Sequence, residues 1–173
     1  MGAMGVRDAL GQILAAFREA FEGTDRWSYF LDHGPQFGLL GTLRGLDAAT
    51  ASRQSGGKSA VYGATASGPV QASIAAHAFH VAVGLEIAAN WIRKKQGGPE
   101  WDQSWAVATV NDAEWAALIK RLEKAYSELK AAIERHGADS IEAFGGGLGA
   151  VVHAAYHLGR MQEKLDGMGE KGS

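Results

Sequence analysis

Two pairs of histidines carry the chemistry that is legible in this chain. His153-Ala154-Ala155-Tyr156-His157-Leu158-Gly159 sets two imidazoles four residues apart inside an apolar helical run. Four residues turn an α-helix through about 400°, so both rings leave one face, one turn apart. A second pair, His77 and His80, lies in another apolar run far upstream. Two such helices side by side would offer nitrogen ligands to one divalent ion, with Ni2+ or Zn2+ favoured and Fe2+ also suited. A single buried histidine is more often a satisfied core ring than a ligand. Here four of the six histidines fall on two apolar faces, whereas chance placement would scatter them to the wet sides.

Three neutral imidazoles and no carboxylate would leave positions open on the ion, as a catalytic site does and a structural site does not. The reacting group would then be a bound water or a substrate thiol, its pKa lowered by the ion. Ala154 stands where the His-Glu-x-x-His motif needs its glutamate, which argues against metalloprotease chemistry.

The elements that must position these rings follow from composition and periodicity. The chain has 173 residues, 46% of them hydrophobic, enough for one domain with a real core. Met1-Gly2-Ala3-Met4 reads as a cloning remnant, and residues 167–173 as a fraying tail. A net charge of −2 without a basic run points away from nucleic acid. No apolar run is long enough for a membrane span, and the N-terminus lacks the pattern of a signal peptide. A cytoplasmic protein is therefore expected. With no cysteine, disulfides, thiolate nucleophiles and cysteine-bound zinc are excluded.

Helical spacing predicts a first helix from about Val6 to Phe21, with Val6, Leu10, Ile13, Leu14, Phe17 and Phe21 inward and Arg7, Asp8, Gln12, Arg18 and Glu19 outward. A second should start near Pro69 and run to about Lys95. Its apolar face holds Ile74, His77, Val81, Leu85, Trp91 and Ile92, with His80 about 60° to one side. Asn111-Asp112-Ala113-Glu114 reads as a capping box that opens a third helix, about Asp112 to His136. The fourth carries the opening motif and extends to about Leu165. Its start is open, because Gly145-Gly146-Gly147 and Gly149 are poor helix formers. Residues 23–68 form a long connection with short helical turns near Leu39–Leu46 and Asp47–Ala51. Its aromatic residues, Trp27, Tyr29, Phe30 and Phe37, suit a segment folded over the domain, such as a lid. Gly57-Lys58-Ser59 imitates a phosphate loop, but Ser52 stands where the motif needs glycine. Four such helices predict an all-α four-helix bundle.

The helix with His80-Val81, the capped third helix and the His153–Gly159 string together resemble the DinB superfamily over about Val6 to Leu165. The resemblance implies an up-down-down-up four-helix bundle. It also implies a metal triad of one histidine on helix two and a His-x-x-x-His pair on helix four, which maps to His80, His153 and His157. His80 is preferred because the family's ligand precedes an apolar residue, here Val81. His77 is the alternate ligand, or a group that orients one. Where the family often has glutamine after the glycine, this chain has Arg160. The activity implied is a metal-dependent enzyme, such as a transferase or isomerase that uses a low-molecular-weight thiol, or a hydrolase.

Two other readings stand beside it. One is a non-enzymatic helical module that dimerises through an apolar face and uses its histidines structurally. The other is a small-molecule-binding module. A homodimer is expected in either case. His33 reads as a turn residue and His136 as a helix C-terminal group. Trp27, Tyr29, Trp101 and Trp105 read as cover for the bundle end, and Tyr156 as packing against a neighbour.

Overall fold

The computed structural model describes residues 5–54 and 72–169. The expected helix start at Pro69 and the Gly57-Lys58-Ser59 loop lie outside the described residues. What is described is all-helical, with one isolated bridge, Thr24 to Gly34, in place of any strand. The helices are α1 (Val6–Glu22), α2 (Leu39–Arg44), α3 (Ala48–Ala51), α4 (Ile74–Ile92), α5 (Asp112–His136) and α6 (Ile141–Gly169). Short 3-10 turns lie at Pro35–Phe37 and Trp101–Gln103.

α4 is the central element, packed against both α5 and α6. Nearly every side of it is apolar, as a helix enclosed by others must be. Its first turn is capped by Ser73, whose Oγ accepts from the Ala76 N–H. Glu86 and Arg93 sit at its seam with α5. Arg121 meets Glu86 through two parallel hydrogen bonds of 2.8 and 2.7 Å, and its guanidinium also covers Phe79. Arg93 bonds the Glu128 carbonyl at 2.5 Å. Contacts therefore advance together along α4 and α5. Trp91 departs from expectation: spacing put it on the apolar face, yet it is 63% exposed.

α1 lies against α5 and α6. Phe17 and Phe21 are fully buried and meet the Tyr126 ring at 5.0 and 4.5 Å. Each such ring contributes roughly 1.5–3 kcal/mol by leaving water. Tyr126 donates to Glu22 at 2.7 Å, and burial first, then that carboxylate, pushes the phenol up. Leu10, at the other end of α1, lies by Gly137 at the end of α5. The contact order here runs opposite along the two helices.

Glu19 corrects the expected polar face of α1, because it is only 4% exposed. The connection after α1 folds back on it, and the N–H groups of Tyr29, Phe30 and Leu31 all donate to its carboxylate at 2.8–3.0 Å. The turn begins at Gly23, whose φ of 71° suits glycine and whose N–H closes α1 on the Glu19 carbonyl.

α5 has the bounds predicted for the third long helix, and its capping box is formed: Asn111 Oδ1 accepts from Glu114 N–H at 3.0 Å and Glu114 accepts from Asn111 N–H at 2.8 Å. α6 runs unbroken through the glycines. Ser140 Oγ accepts from Ala143 N–H at its start, and Gly147 lets the helix sit against Ile133. Gly145 and Gly149 face open space, and nothing in the structure explains them.

Candidate metal centre

α4 and α6 meet along their histidines. Nδ1 of His77 lies 2.9 Å from Nδ1 of His157, and Nε2 of His80 lies 2.9 Å from Nε2 of His153. Three residues up α4 thus correspond to four residues down α6. Gly84, one turn beyond His80, leaves the room that the His153 ring occupies. A Cβ there would stand 2.9 Å from Cε1 of His153.

Each of His80, His153 and His157 offers a ring nitrogen, and the three atoms lie within 4.8 Å of one another. His77 stands outside that trio, held on His157 at 2.9 Å. Two nitrogens bound at about 2.1 Å to one ion lie roughly 3.0–3.4 Å apart, so rings whose nitrogens stand up to 4.8 Å apart would draw together to share an ion. The donor set fits a divalent metal.

The electrostatics point the same way. Burial pushes His80 down to about 4, with His153 adding to the effect. Burial, then Lys164, Arg160 and His80, pushes His77 down to about 3. Burial also depresses His153 and, with His153, His77, His80 and Arg160 contributing, His157. At neutral pH the rings are uncharged, so lone pairs are available without displacing a proton from a cation. Nε2 of His77 is buried with no hydrogen-bond partner among the described residues. Nε of Arg160 is in the same position, although its Nη1 pairs with Glu163.

Two indoles close the cluster. Trp105 stacks on the His80 ring at 4.0 Å and 16°, and its ring is 5.4 Å from that of His77. Trp101 presents its ring to His153 at 5.6 Å and to His80 at 5.4 Å. Both come from the connection between α4 and α5.

No family model, curated protein or solved structure matches this chain.

The structure brings together all four histidines that helical spacing places on apolar faces. Ser104, Gly84, Trp101 and Trp105 join the site without a signal in that spacing. The clue available was the aromatic-polar string Trp101-Asp102-Gln103-Ser104-Trp105 directly after a helix break. The described part of the first connection does not supply the cover expected of a lid. Tyr29 there bonds Gln12 of α1 and packs on Trp27 at 4.5 Å, while Trp27 is 73% exposed. Tyr156 is 60% exposed and touches the His157 ring edge-on at 5.0 Å, rather than packing into a neighbouring helix. His33 is an exposed bend residue. His136 ends α5 and bonds Asp139 at 3.0 Å.

Proposed function

We propose that this chain is a divalent-metal-dependent enzyme of the DinB kind, with His80, His153 and His157 as ligands. The observation that carries the reading is the convergence of three uncharged imidazoles from two helices within 4.8 Å. The up-down-down-up bundle is part of the proposal. It is supported by contacts that run parallel between α4 and α5 and opposite between α1 and α5 and between α4 and α6.

The reaction we propose is transfer of a low-molecular-weight thiol to an electrophilic small molecule, in the cytoplasm, where such thiols stay reduced. Zn2+ or Ni2+, with Fe2+ as the third candidate, would supply Lewis acidity and lower the pKa of a bound thiol. The chain's own part is positional. The uncharged imidazoles bring three ring nitrogens within 4.8 Å of one another, and Trp101 and Trp105 pack on the His80 and His153 rings. Metal analysis of the purified chain and of His153→Ala tests the site. We expect near-stoichiometric metal in the first and a large loss in the second; equal content in both would remove the proposal.

A homodimer is proposed through the outer face of α6, where Ile141, Leu148, Val152 and Tyr156 are exposed at helical spacing. Sedimentation at micromolar concentration should give twice the chain mass, and a monomer would remove this part.

One observation favours a second reading, the structural histidine module. The rings already bond one another and Ser104 without an ion. That reading predicts metal-independent stability.

A further inference from the structure

Ser104 lies in the connection between α4 and α5, just before Trp105, and is 1% exposed. Its Oγ is 2.6 Å from the carbonyl oxygen of Trp101 and 2.8 Å from Nδ1 of His80. A carbonyl only accepts, and a serine hydroxyl has one proton to give. That proton is committed to Trp101, so the Ser104 oxygen meets His80 as an acceptor. Nδ1 of His80 must then carry the ring proton. Nε2 is left with a free lone pair, and it is the nitrogen that faces Nε2 of His153 at 2.9 Å. Trp105, stacked on the His80 ring, opposes the ring flip that would exchange the two nitrogens.

We infer that Ser104 is a positioning residue, which fixes His80 as the Nδ1–H tautomer and aims Nε2 at the point shared with His153 and His157. The consequence for metal binding rests on the function proposed above; the tautomer is a property of the metal-free chain. A second consequence follows for His153. Since His80 Nε2 accepts, His153 Nε2 donates in the metal-free chain. Loading an ion on that nitrogen requires its proton to appear on Nδ1, with no net release. His80 is preset, whereas His153 must change tautomer. An outer group that orients a ligating histidine typically sets metal affinity by about 10- to 100-fold.

The test is long-range proton–nitrogen NMR of the imidazoles in the 15N-labelled chain, with His80→Gln and His153→Gln assigning the signals. We expect His80 protonated at Nδ1 and His153 at Nε2 without metal, and His153 protonated at Nδ1 with zinc. Ser104→Ala should give mixed His80 tautomers and weaken zinc binding by about tenfold or more, and Ser104→Thr should restore both. His80 protonated at Nε2 in the unaltered chain would overturn the inference, as would an unchanged tautomer in Ser104→Ala. If Ser104→Ala does not fold, the spectra of the unaltered chain and of Ser104→Thr still decide. If zinc fails to bind the unaltered chain, the metal reading falls, while the metal-free spectra still judge Ser104.

Discussion

At the scale of one residue, Gly84 shows how an absent side chain places a present one. Its missing Cβ is the space that Cε1 and Nδ1 of His153 occupy, with Cη2 of Trp101 also close. Alanine there acts in two opposed ways. Within a helix, Gly→Ala gains about 1 kcal/mol of intrinsic propensity. The added carbon would also stand 2.9 Å from the far end of a movable ring. The cheapest response is for the His153 ring to swing, so the loss falls on the site and not on the fold. Gly84→Ala should therefore leave the metal-free melting temperature equal or higher, yet weaken zinc binding by about tenfold or more. A competition titration with a chromogenic chelator measures the second effect. Unchanged affinity would mean that His153 is not held by this contact or is not a ligand.

At the scale of the element, the first connection owes its path to Glu19. Burial alone would raise its carboxyl pKa. Ser28 Oγ and the N–H groups of Tyr29, Phe30 and Leu31 outweigh burial and hold it below its ordinary 4.5. The folded-state pKa is depressed, so the carboxylate contributes stability above the unfolded value. That contribution is lost as pH falls from about 4.5 through the folded value. Glu19→Gln should cost roughly 1–3 kcal/mol at pH 7, by weakening charge-assisted bonds, and the gap from the unaltered chain should narrow as pH falls below 4.5. Urea melts at pH 7 and pH 3.5 check this, and a gap that stays constant would contradict it. Glu19 also shows why the sequence was legible only in part. Periodicity places a residue on a face of its own helix, and by that rule Glu19 was wet. Whether another segment later covers that face is a tertiary fact. The same limit hid Ser104, and it hid that Trp101 and Trp105, read only as cover for the bundle end, pack on the histidines. By contrast, the bounds of α5 were readable because its cap and its stripe are local. The unbroken passage of α6 through Gly145-Gly146-Gly147 defied propensity because packing on Ile133 and the neighbouring helices overrides it.

At the scale of the whole molecule, the histidine cluster is a tension within an apolar core. His77, His80 and His157 are buried in a core whose other residues are mostly apolar. Leaving one buried polar group unpaired costs about 1–3 kcal/mol, and Nε2 of His77 is such a group. That α4 and α6 each carry two imidazoles on an apolar face was readable, because helical spacing is local. Which pairs meet was not readable, since register between distant helices is a tertiary fact that local spacing does not carry. A ligand that binds only the folded chain stabilises it by mass action. At a free metal concentration 100 times the dissociation constant the gain is about 2.7 kcal/mol. For a chain of this size that corresponds to a melting shift of about 5–11 °C. Zinc or nickel added to the metal-free protein should raise the melting temperature by that amount, and excess chelator should reverse it. His157→Ala should abolish the shift, because two imidazoles cannot replace three. His136→Ala should not, because that ring sits at the far end of α5, bonded to Asp139. A melting temperature indifferent to metal and chelator would leave the histidines as core packing and favour the structural module.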